Sequence, residues 1–123
     1  MTTPKKKQTD CKPRFRIMQG EQIALGPGKV DLLEAIEKSG SISQAARELG
    51  LSYRRAWVLV DTMNQCFKTP LVIPARGGKK GGGAQVTALG LRIAKLYRTM
   101  ETKAVQSADK EWRTIQKSLK KDH

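Results

Sequence analysis

Histidine is almost missing from this chain: of 123 residues, only the last, His123, is one. That removes any Ser-His or Cys-His catalytic arrangement and most metal sites, so no metal and no cofactor are expected. Cysteine is scarce too. Cys11 and Cys66 lie far apart and form no CxxC pattern, which suits free thiols in a reducing compartment better than a bridge. Acidic residues number 11 against 24 lysines and arginines. No pair of carboxylates stands in a setting for acid–base work; Asp109, Glu111 and Asp122 read as solvated charges. The glycine-rich stretch contains no Gly-x-x-x-x-Gly-Lys-Ser/Thr, which argues against a nucleotide loop. No apolar run reaches membrane-span length, and none follows the basic start Met1-Thr2-Thr3-Pro4-Lys5-Lys6-Lys7 as a signal peptide requires. A non-enzymatic, cytoplasmic protein is the expectation.

What is present is positive charge. The formal net charge is +13 and the pI about 10.2, a balance that favours an anionic partner, either nucleic acid or an acidic membrane surface. The length suits one domain. Residues 1–13 form a polar basic arm, which either reaches along a nucleic acid or is a solvated tail. Phe15, Ile17 and Leu25 suggest a short two-strand ribbon around Gln19-Gly20-Glu21-Gln22.

Helical periodicity follows. Gly26-Pro27-Gly28 places a proline in a first turn, and Val30, Leu33 and Ile36 then form one apolar stripe that Gly40 stops. Ser41-Ile42-Ser43 opens a short second helix, with Ser43 read as its N-cap. Ala45 and Ala46 permit a close crossing, Gly50 suits a positive φ, and Leu51 plugs the junction. Ser52 caps a further helix from Tyr53 to Cys66, whose inward stripe is Ala56, Val60, Met63 and Phe67. Trp57 belongs either to the core, the favoured reading, or to the flank of a bound duplex. Leu71-Val72-Ile73 and Ala84-Gln85-Val86-Thr87 then make a β-hairpin with a glycine-rich basic tip. From Ala88 to Lys120 apolar residues recur in threes and fours, predicting one long amphipathic helix. The small domain before it cannot cover that stripe, and a second copy of the chain is the simplest cover.

Residues 40–52 thus have the layout of a helix-turn-helix. The second helix would enter the major groove by its N-terminal end, where Ser52, Tyr53, Arg54 and Arg55 stand. Arginine pairs bidentately with guanine or phosphate. Ser43, Gln44 and Arg47 of the preceding helix would face the backbone or groove wall. Arg76, Lys79 and Lys80 at the glycine-rich tip would neutralise phosphates. The predicted architecture is mainly α, a winged helix-turn-helix at residues 14–87 with a long C-terminal dimerisation helix at 88–123.

The runs Ser41-Ile42-Ser43-Gln44-Ala45-Ala46, Ser52-Tyr53-Arg54-Arg55-Ala56-Trp57, Met63-Asn64, Gly77-Gly78-Lys79-Lys80-Gly81-Gly82-Gly83-Ala84 and Thr87-Ala88-Leu89-Gly90 together resemble the N-terminal DNA-binding domain of ModE-type molybdate-responsive regulators. The helix-turn-helix alone is shared with LysR-type regulators. The tyrosine–arginine–tryptophan run combined with the glycine wing is the more specific part. The resemblance spans roughly residues 14–105 and implies double-stranded DNA as partner, a homodimer, and control of molybdenum-related genes. In full-length members a molybdate-binding region follows. With this sequence ending at His123, the expectation is a regulator without its own sensor, and any signal would come from elsewhere, such as a separate molybdate-sensing partner. The rival readings are a nonspecific architectural nucleic-acid-binding protein and a small-ligand, oxyanion-sensing repressor.

Overall fold

The computed structural model describes residues 9–75 and 83–120. Alternation organises the start. Phe15 and Ile17 are half buried while Arg14 and Arg16 are exposed, as an extended chain with one covered face requires. Strands β1 (Ile17–Gln19) and β2 (Gln22–Leu25) pair antiparallel, with Gly20 supplying the positive φ, 60°, in the turn between them.

Helix α1 (Pro27–Ser39) starts on the proline and ends where Gly40 turns left-handed at φ 71°, its N–H closing on the Ile36 carbonyl. Its buried face is wider than the periodic stripe, because Leu32 and Ala35 are buried beside Val30, Leu33 and Ile36. Helix α2 (Ile42–Glu48) and helix α3 (Tyr53–Cys66) follow. Strands β3 (Val72–Ala75) and β4 (Gly83–Val86) pair antiparallel from Val72 with Val86 to Ala75 with Gly83. Their outer end carries residues 76–82, so the predicted contacts of Arg76, Lys79 and Lys80 lie outside the described residues. The hairpin docks on the end of α1 through the Ala84 N–H, 3.0 Å from the Gly40 carbonyl.

Thr87 caps helix α4 (Ala88–Ser107), its hydroxyl accepting from the Gly90 N–H at 3.0 Å. This helix belongs partly to the core: Ala94 and Tyr97 are buried with residues of α1, α2, α3 and the hairpin. Arg98 fastens α4 to α1, donating to Asp31 at 2.6 Å, Glu34 at 2.7 Å and Glu101 at 3.0 Å. Its bonds to Glu34 chiefly, and those to Glu101 and Asp31, outweigh partial burial and raise its pKa.

The predicted single helix from 88 to 120 is interrupted. Helix α5 (Asp109–Lys117) starts after Ala108, at φ −98° and ψ 11°. Serine and aspartate flank the break, and both favour helix ends because their side chains compete for backbone groups. Asp109 and Glu111 then fall in the first turn of α5, where the helix dipole favours negative charge.

The architecture is therefore the expected one, mainly α, with three helices, a β-hairpin wing and a long helix after it. Among the described residues no helix is long and apolar enough to cross a membrane.

Candidate nucleic-acid interface

The helix-turn-helix is built by local hydrogen bonding. The Ser41 hydroxyl accepts from the Gln44 N–H at 3.1 Å, so Ser41 is the cap and the assignment to Ser43 is corrected. The helix begins two residues earlier because Ile42 is buried and serves as its first residue. Ser52 caps α3 as expected, accepting from the Arg55 N–H at 3.0 Å. Between them Gly50 adopts φ 69°, and the Leu51 N–H returns to the Ala46 carbonyl at 2.8 Å. Ala45, Ala46 and Ala56 are buried at the crossing, where larger side chains would hold the helices apart.

Residues along α3 turn by about 100° each. Ala56, Val60 and Met63 are buried, and Arg54, Val58 and Asp61 lie on the opposite, exposed face. Arg54 therefore points straight away from the core at the capped end of the helix. Ser43, Gln44 and Arg47 on α2, and Ser52, Tyr53 and Arg55, are exposed around it. Arg47 reaches the Ser43 hydroxyl at 3.5 Å. Every described member of the predicted set is exposed, but they divide around the capped end of α3: Ser43 and Tyr53 border the side towards β3 and β4, and Arg55 borders the other flank.

Trp57 is not core. It is 43% exposed and meets Tyr53 edge to face, with ring centroids 6.2 Å apart. One helical turn from Tyr53 and well off the Ala56–Val60–Met63 stripe, it stands over a hollow of about 340 Å³ between α3 and the strand residues Ile73 and Pro74. Cys66 is half buried, and its thiol donates to Gln22 Oε1 at 3.3 Å.

Sequence reasoning missed the residue that sets the wing against α3. Asn64 Oδ1 accepts from the N–H groups of Leu71 at 2.8 Å and Val72 at 3.2 Å, and its Nδ2 donates to the Val72 carbonyl at 3.0 Å. The side chain replaces a neighbouring strand. Leu71 and Val72 are buried, so Asn64→Leu would strand two amides and should cost about 2 kcal/mol. Urea unfolding measures it, and an unchanged midpoint would show that the bonds carry no weight.

Two capped helices across a glycine turn, with an exposed arginine-bearing first turn and a strand pair behind, define a bacterial regulatory helix-turn-helix protein. The model of the "Bacterial regulatory helix-turn-helix protein, lysR family" matches residues 28–91, over half of the chain, and the chain belongs to that family. Within it the chain is similar to the "Molybdenum transport protein ModE" of Azotobacter vinelandii, 45% identical over 71% of this chain and 32% of that protein. It is also similar to the "DNA-binding transcriptional dual regulator ModE" of Escherichia coli (strain K12), 44% identical over 63% of this chain and 29% of that protein. The chain spans about a third of the length of these relatives. Among solved structures, ArgP from Mycobacterium tuberculosis overlaps at a TM-score of 0.46 and 19% identity, covering 66% of this chain and 30% of that chain; so loose an overlap carries no functional weight.

Proposed function

We propose that this chain is a sequence-specific, DNA-binding transcriptional regulator of molybdenum-related genes that acts as a homodimer in the cytoplasm. The observation that carries this reading is the exposed first turn of α3, with Arg54 pointing away from the core on a lysR-family helix-turn-helix. The net charge of +13 suits a polyanion, and the names of the ModE relatives supply molybdenum. Ser43, Gln44, Arg47, Ser52 and Tyr53 line the groove wall or backbone, Arg54 and Arg55 contact bases or adjacent phosphates, and Arg76, Lys79 and Lys80 hold the flanking backbone. Leu96, Met100, Ile115 and Leu119 are large apolar side chains left exposed on or just beyond α4 and α5, which supports a second copy as their cover. Two such copies would place two recognition helices on half-sites one helical turn apart.

The test is a mobility-shift titration on a duplex selected by the chain from a random pool. Arg54→Ala combined with Arg55→Ala should lower specific affinity by about 10- to 100-fold, since each bidentate base pair is worth ~1–3 kcal/mol. Undiminished affinity would sink the assignment. Equal affinity of the parent chain for unrelated duplex would favour an architectural protein. Marked thermal stabilisation by molybdate or tungstate would favour the oxyanion-sensing repressor.

A further inference from the structure

The flank of α3 turned away from the wing closes a second cleft, of about 550 Å³. Four cations from three separate parts of the chain border it: Arg14 and Arg16 on the segment entering β1, Lys29 in the first turn of α1, and Arg55 in the first turn of α3. The alternation that buries Phe15 and Ile17 sends both ribbon arginines to the same side. Lys29 is half buried, and its ammonium donates at 2.7 Å to a neutral acceptor, the Ile23 carbonyl.

No residue lining this cleft is acidic. Among the described residues, none of the four cations lies in a salt bridge. The contrast with Arg98 is direct, because that guanidinium is matched by three carboxylates. Arg98 is a structural cation, whereas no carboxylate among the described residues pairs with any of the four at the cleft. Burial lowers the Lys29 pKa; the nearby Cys66 opposes this and Arg55 adds to it. An anion seated in the cleft would reverse both penalties.

We propose that this cleft binds backbone phosphates of duplex DNA on the side of the recognition helix opposite the wing. The proposal rests on the DNA-binding reading above and deepens it. Arg54 faces the groove, and its neighbour Arg55 joins the ribbon arginines and Lys29 on the adjoining phosphates. The ribbon before the helix-turn-helix is then part of the DNA-binding surface and not only a strap over the core.

The experiment uses the full chain with two duplexes of equal length, one selected by the chain and one unrelated, titrated by fluorescence anisotropy across a salt series. Arg14→Gln combined with Arg16→Gln changes two exposed side chains. It should weaken both duplexes by the same factor, about 30-fold per bound protomer at roughly 0.15 M salt, and flatten the log–log salt slope by about 2 per protomer, so about 4 for a dimer. Arg14→Lys with Arg16→Lys should keep the slope. Lys110→Gln with Lys117→Gln, which removes equal charge from α5, should change the slope by far less. An equal effect from the α5 pair would overturn the proposal, as would an unchanged slope in the ribbon pair. In the second case Arg54→Ala would still lose the preference for the selected duplex, so the DNA-binding reading would survive alone. Failure of the parent chain to bind either duplex would overturn both. A free tetrahedral oxyanion shares the phosphate chemistry. If molybdate or inorganic phosphate at constant ionic strength raised the melting temperature of the parent chain but not of the ribbon pair, with DNA slopes unchanged, the cleft would be a small-anion site and the proposal would fail.

Discussion

Replacing Gly90 with alanine is expected to destabilise the protein by about 3 kcal/mol and to lower its melting temperature by roughly 15 °C. A Cβ at this position would stand 2.5 Å from the Leu71 carbonyl oxygen and 2.6 Å from Val86 Cγ1. The first neighbour is backbone, and that carbonyl already accepts the Thr87 N–H at 2.9 Å. It cannot withdraw without disturbing the cap of α4 and the base of the wing. Helix propensity alone predicts the opposite sign, a gain of ~1 kcal/mol for removing a glycine from a helix. Thermal unfolding therefore decides between the two. A Gly90→Ala variant as stable as the parent would mean that α4 does not press on Leu71 and Val86 at this distance. Because the strands at that contact carry the wing, the same variant should also weaken DNA binding.

Tyr97→Ala should cost about 4 kcal/mol, in the range for emptying a buried aromatic site. The ring is 1% exposed and meets Phe15 edge to face at 6.4 Å. Its hydroxyl donates to the Phe15 carbonyl at 2.9 Å, tying the N-terminal ribbon to α4 across 82 positions of chain. Tyr97→Phe removes only that bond and should cost about 1 kcal/mol. Burial, with smaller contributions from Glu101 and Asp31 against Arg98 and Arg14, raises the phenol pKa above its usual value. The folded state then holds the proton to higher pH than the unfolded chain does. That stabilisation is complete below the unfolded value of about 10 and is lost as pH rises towards the folded one. Urea midpoints of the parent chain should fall faster above that pH than those of Tyr97→Phe. Parallel pH profiles would show that the hydroxyl is not held as described. The alanine variant should in addition lose the ribbon's placement of Arg14 and Arg16, so its salt slope should resemble that of the ribbon glutamine pair.

Much of the site could be read from short-range pattern. Ser52, Gly50, Gly40 and Pro27 act within a turn or two of themselves, and their roles follow from the geometry of helix ends. The stripes of α1 and α3 follow from helical period, and so does the exposure of Arg54. Signals of this kind misled where two nearby residues could serve. Ser41 and Ser43 are equally able caps, and the choice fell to whether Ile42 is buried. Trp57 is a core residue by type but an exposed one by helical phase, and phase decides its place. The Ser107–Ala108–Asp109 interruption contains neither glycine nor proline, and the apolar period continues through it.

From its order alone, the chain determined a basic, winged helix-turn-helix with a capped third helix and an arginine pair in its first turn. These features are local, resting on periodicity, capping and turn conformation. Only the tertiary structure decided what the distant residues do. Gly90 is required by a carbonyl 19 positions back, Asn64 substitutes for a strand, and Tyr97 reaches Phe15. The cleft of Arg14, Arg16, Lys29 and Arg55 has no signature along the chain except the Arg-Phe-Arg-Ile alternation. Its charges meet because the ribbon, α1 and α3 pack around one core, and like charges brought together by packing are visible only once the packing is known.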